Sequence, residues 1–186
     1  MSLTAGRTAT LAGDRPVRAV LGWDAAGRGR RFARPRRTSV DLDASCLLLD
    51  TDGGLVDQVW FARLASADGS VRHAGDATDT SGVVVAILLD LPRVCARTAT
   101  LLLALHSFPG QSFTPVRVVW CRFLDDRTGE QLVGCELPAY GPHTAQVVAS
   151  VTRGGEDDDA WTVRAIGQPG HGRAPHQLLP LIGGSR

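Results

Sequence analysis

Apolar residues fall along this chain in short runs, and their spacing sets the first expectation. Alternating or continuous apolar stretches occur at 17–23, 39–50, 56–63, 83–91, 98–107, 115–126, 130–137, 144–151 and 161–167. Rich in Val, Leu and Thr, they are strand patterns. Between them stand DGG at 52–54, DGS at 68–70, PG at 109–110, TG at 128–129 and GGEDDD at 154–159. These are turn signals, because Gly tolerates left-handed backbone and Asp bonds the amides that follow it. No stretch sustains a 3.6-residue repeat, and DLPRV (90–94) predicts at most one helical turn. The pattern reads as all-β, a sandwich or barrel, in one domain over 1–170. The Gly-, Pro- and His-rich residues 171–186 predict a loosely structured tail.

The segment SVDLDASCLLLD (39–50) carries two full charges inside a strand pattern. Side chains alternate along a strand, so Leu42, Ala44, Cys46 and Leu48 share one face and Asp41, Asp43 and Ser45 the other. The two aspartates then stand roughly 6.5–7 Å apart at strand rise. Three environments suit that pair: open water, a pairing arginine, or a hard cation shared by both carboxylates. A second acidic stretch, HAGDATDTSG (73–82), reads as a loop between strands. It offers Asp76, Asp79, Thr78 and Thr80 as oxygen donors. If the two stretches meet, their mutual repulsion favours a divalent ion between them.

Composition removes several alternatives. The chain has 186 residues and a net charge of +1, so no global field marks a nucleic-acid or membrane protein. All 20 basic residues are arginine. Six of them, Arg28, Arg30, Arg31, Arg34, Arg36 and Arg37, crowd into RGRRFARPRR (28–37). That tract reads as a solvated loop, as a source of Arg36 or Arg37 to neutralise Asp41 and Asp43, or as a site for an anionic partner or nucleic acid. Phe32 is its only aromatic residue, which argues against stacking on single strands. The N-terminus lacks the apolar run of a signal peptide and no stretch is long enough to span a membrane, so a cytoplasmic protein is expected.

Other chemistry is thin. Cys46, Cys95, Cys121 and Cys135 form no metal-binding spacing and sit among apolar neighbours, as reduced core thiols do. There is no G-x-S-x-G elbow. His171 and His176 are too few for a closed zinc site. His73 reads as a strand-end residue, EDDD (156–159) as a solvated turn, and Trp23, Trp60, Trp120 and Trp161 as core. A non-enzymatic protein is expected.

The motifs taken in order resemble the TerD family of bacterial tellurium-resistance and stress-response proteins. The similarity runs through LTAGRTATLAGDRPVRAVLGWD (3–24), VDLDAS (40–45), DGSVRHAGDATD (68–79), LDLPRV (89–94), GQSF (110–113), DDRTGEQL (125–132) and WTVRAIGQ (161–168). It implies a two-sheet β-sandwich, calcium binding, and partners among other stress-response or Ter-type proteins. It carries a metal role onto Asp41, Asp43 and Asp76, with Asp79 and Ser45 as further ligands and Asp24 as a more distant candidate. The family's acidic loop is shortened here. Ala77 stands where Asn is usual, and Val83, Val84 and Val85 replace its terminal acidic run, so one calcium site or none is implied rather than two; the alternative is a degenerate member without calcium that binds an anionic partner or nucleic acid through the Arg-rich 28–37 segment.

Overall fold

Strand pairing in the computed structural model, which describes residues 1–25, 40–79, 82–154 and 159–181, follows the apolar runs closely. Twelve strands are found among those residues: β1 (Ser2–Leu3), β2 (Thr8–Ala12), β3 (Pro16–Ala25), β4 (Asp43–Leu49), β5 (Leu55–Val59), β6 (Val71–Asp79), β7 (Gly82–Asp90), β8 (Thr100–His106), β9 (Val116–Asp125), β10 (Gln131–Pro138), β11 (Ala145–Arg153) and β12 (Ala160–Gly170). DLPRV supplies a single 3-10 turn, Leu91–Arg93.

The strands form two six-stranded sheets. One has the order β1-β10-β9-β3-β7-β6 and the other β2-β12-β11-β8-β4-β5. Pairing is antiparallel except where β1 runs parallel to β10. The sheets face each other, and their inner faces make one core with Val17, Leu21, Ile87, Phe123, Leu103 and Trp161 fully or almost fully buried. Each such side chain contributes roughly 1.5–3 kcal/mol relative to exposure. This is the β-sandwich expected from the sequence.

Residues 73–82 depart from expectation. Those described form no loop: Val71–Asp79 is a strand paired with β7, with Asp79 opposite Gly82. Gly, Asp and Thr are poor strand formers, so the local sequence hides it. The continuous Val-Ile-Leu run of β7 imposes the pairing. A register shift between His73 and Asp76 absorbs the irregularity, with Gly75 at φ 85°, the left-handed backbone of a bulge.

Part of the tail expected to be loose, 171–186, is described, and residues 182–186 lie outside the described residues. Residues Pro175–Leu181 form a 3-10 helix lying on the outer face of the second sheet. Leu178 is fully buried against Ala104 and Ala145, and Leu179 packs on Leu47, Leu49, Leu102 and Val147. The Gln177 side chain accepts N–H bonds from Arg173 (2.7 Å) and Ala174 (3.3 Å), which closes the turn that aims the leucines inward.

The tryptophans divide. Trp161 is core and Trp23 packs on its edge. Trp60 and Trp120 are half-buried and belong to no core cluster, contrary to the sequence reading. None of the four cysteines is bridged; Cys46, Cys121 and Cys135 are buried and Cys95 is partly exposed.

Candidate metal centre

Alternation holds through the acidic strand. Val40, Leu42, Ala44, Cys46 and Leu48 enter the core between the sheets, while Asp41 is exposed and Asp43 half-buried. Asp41 is fixed through its backbone: its N–H donates to Gln111 Oε1 at 2.8 Å, and the Gln111 N–H donates to Ser107 Oγ at 3.0 Å. The GQSF segment therefore braces the start of the DLDAS segment. Asp43 opens β4 directly opposite His106 on β8.

The outer face of β4 is not wet. Beyond Asp43 it runs Ser45, Leu47, Leu49, and the C-terminal 3-10 helix covers the leucines. Ser45 is 0% exposed, and its hydroxyl has no hydrogen-bond partner. It lies one strand repeat inward from Asp43, beside Ala104 and away from the exposed Asp41.

The second acidic segment belongs to the facing sheet. Asp76 pairs in register with Val85 and Asp79 with Gly82; their side chains, and Thr80, lie outside the described residues. Three residues before Asp76, His73 comes close enough to His106 for the two imidazoles to interact. Burial, and secondarily His73, lower the His106 pKa to about 4, so the ring is neutral near pH 7. His106 is 0% exposed and neither ring nitrogen has a hydrogen-bond partner. Through these two histidines the start of β4 and the approach to Asp76 lie at the same end of the sandwich. Among the described residues no three His, Cys, Asp or Glu side chains gather to hold a metal. A calcium ion, which takes six to eight oxygens, thus fits only with donors from Asp76 and Asp79 added to Asp41 and Asp43.

Other carboxylates are committed to turns. Asp50 accepts the N–H groups of Asp52 (3.0 Å) and Gly54 (2.7 Å). Asp57 accepts the Ala67 N–H (2.8 Å) and pairs with Arg63 (2.9 Å). Asp125 accepts N–H bonds from Arg127 and Thr128 and pairs with Arg15, and these together hold its pKa down against a smaller effect of desolvation. Asp68 takes the Ser66 and Ser70 hydroxyls and the Ser70 and Cys95 N–H groups. The DGSVRH motif is thus a structural joint at its aspartate.

Three aromatic rings, which the sequence reading did not single out as a group, lie against the same end. Trp60 packs on Phe61 (ring centroids 4.7 Å apart) and on Phe108 (6.4 Å), Phe61 meets Phe108 edge-on (5.2 Å), and Trp60 lies 6.2 Å from the His106 ring. The sequence signal was Trp60 and Phe61 near the end of the 56–63 run and Phe108 just after the 98–107 run. The Arg-rich tract, with Arg28, Arg30, Arg31, Arg34, Arg36 and Arg37, lies outside the described residues, as do positions 156–158 of EDDD. No helix among the described residues is long and apolar enough to cross a membrane.

Fold and motif order together define a two-sheet β-sandwich. Residues 1–174 match the family model described as TerD domain, and the chain belongs to the TerD family. It is 35% identical over 159 residues to the tellurium resistance protein TerZ of Serratia marcescens, covering 82% of this chain and 79% of that one. Two solved structures share the fold. One is described as the unknown function protein SAV2460 (TM-score 0.63, 22% identity, 94% of this chain and 99% of that one). The other is a homologue of the telluride resistance protein TerD, SCO6318 from Streptomyces coelicolor A3(2) (TM-score 0.61, 18% identity, 89% and 95%).

Proposed function

We propose that this chain acts in tellurium resistance or a related stress response as a binding module rather than a catalyst. In this reading it holds one calcium ion through Asp41, Asp43, Asp76 and Asp79 and presents a surface to Ter-type partners. The observation that supports the reading is the electrostatic interaction of His73 with His106: His106 stands opposite Asp43 on the ladder, and His73 lies on β6 three residues before Asp76. A divalent charge there relieves carboxylate repulsion and ties β6 to β4. Ser45 contributes least, since its hydroxyl is buried among the outer-face side chains of β4 and β8.

The cysteines support a non-catalytic reading. Burial raises the thiol pKa of Cys46; burial, then Cys135, raises that of Cys121; burial pushes Cys135 to about 11. None of these three offers appreciable thiolate at neutral pH.

The test is thermal and denaturant unfolding in calcium against chelator, for the parent and for Asp43→Asn. At about one hundred times Kd, calcium should stabilise the parent by about 2.7 kcal/mol. Asp43→Asn should lose most of that gain. Superimposable parent curves with and without calcium would remove the metal from the proposal.

A further inference from the structure

The outer face of the first sheet carries a cleft of about 190 Å³ around β9 and β10. Two glycines shape it. Trp120 lies flat over Gly22, its cross-strand partner on β3, where a Cβ would run into the indole. On the other side of Arg122, Gly134 offers no side chain, and Ser2 stands beyond it on β1. The indole therefore leans away from β10 and leaves a hollow above Gly134, with Gln131 close by.

The charges around this hollow are distinctive. The Arg122 guanidinium lies 4.4 Å above the Trp120 ring, which holds it in place by cation–π contact. Glu136 is the direct neighbour of Trp120 on β10, and Asp24 closes the same rim from β3. None of these three charges makes an ion pair with a described residue. Two carboxylates against one guanidinium repel a simple anion. A simple cation meets Arg122 already seated on the only aromatic face. A molecule bearing both charges satisfies all three groups. The volume is below the roughly 300–1,000 Å³ of sites for drug-sized ligands, so the ligand is small.

We infer that this cleft binds a free α-amino acid or a molecule of that zwitterionic class. Arg122 receives the carboxylate through its planar fork, Glu136 and Asp24 receive the ammonium, and the Trp120 edge bounds the side chain. The inference stands apart from the calcium reading, because it rests on β9 and β10 of the first sheet and shares with that reading only Asp24, its more distant candidate.

The test is a titration of the ¹⁵N-labelled full chain with L-alanine and with L-leucine, followed by two-dimensional NMR. Two control probes each lack one charge: L-alaninamide has no carboxylate and L-lactate no ammonium. Saturable shifts confined to Ser2, Trp120, Arg122, Gly134 and Glu136, with Kd below about 10 mM, are expected for at least one amino acid. Each control, and each of Arg122→Gln and Glu136→Gln, should weaken binding about tenfold or more, as loss of a charge-assisted bond does. Both side chains are at the surface, so well-dispersed variant spectra separate lost binding from lost folding. Absence of saturable shifts with both amino acids, or equal affinity for alanine, alaninamide and lactate, would overturn the inference.

Discussion

Asp68 accepts the backbone N–H of Cys95 at 3.1 Å, so one carboxylate joins the turn before β6 to the segment after the first 3-10 turn. Burial by itself would raise its pKa. The Ser66 and Ser70 hydroxyls and the Ser70 and Cys95 amides outweigh that and hold it at about 2. Asp68→Ala should therefore destabilise by about 1–3 kcal/mol in urea unfolding, since several donors lose their acceptor at once. A carboxyl whose folded pKa lies below its unfolded value stabilises above the unfolded pKa, and that contribution disappears as pH falls from near 3.8 toward 2. The variant should show a flatter acid limb over that window.

His106 governs the preceding pH interval, with the opposite charge. Its folded pKa of about 4 lies below the ordinary 6.5, so the unfolded chain takes up the proton first. Stability is fully present above pH 6.5 and falls as pH drops toward 4, by roughly 3 kcal/mol if the whole shift is realised. His106→Leu should remove this loss while costing little at pH 7, because the ring nitrogens it deletes have no hydrogen-bond partner. Unfolding measured from pH 7.5 to 4.5 checks it; an unchanged pH dependence would place the titration elsewhere.

Gly22 and Trp120 should be coupled. Gly22→Ala should cost about 2 kcal/mol, the range for overpacking, because the new methyl meets the indole. In a Trp120→Ala background the same change should be neutral or stabilising, since Ala lowers unfolded-chain entropy relative to Gly. A double-mutant cycle by denaturant unfolding reads the coupling directly.

Leu178→Ala should destabilise by about 2–4 kcal/mol, as for other fully buried leucines. Ending the chain at residue 174 should in addition expose Leu47, Leu49, Leu102 and Val147. Increased binding of a hydrophobic dye, with native-like strand content retained by circular dichroism, is the expected signature.

What the sequence disclosed depended on whether the decisive neighbours were local. The alternation from Val40 to Leu48 is a property of one strand, so the core-facing and outward-facing residues of β4 were assigned from spacing alone. β6 escaped notice because Gly75, Asp76, Thr78 and Asp79 are held in a strand only by β7. Ser45 was left with Asp41 and Asp43 on a face suited to water, an arginine or a cation, because the 3-10 helix that packs on that face lies more than a hundred positions downstream. The GWD glycine could be seen, but its reason, Trp120, lies 98 positions away on a neighbouring strand. The turn aspartates were predicted as punctuation. Their hydrogen-bonding showed which of them brace turns.

The pairing of β2 with β12 sets a timetable for the nascent chain. Thr8–Ala12 meets its partner only when Ala160–Arg164 has left the ribosome. Roughly 150 residues of synthesis separate the two, about 8–30 s at 5–20 residues per second. Through that interval the second sheet keeps an unfinished edge, and a chaperone that shields the early segment would have its greatest effect then.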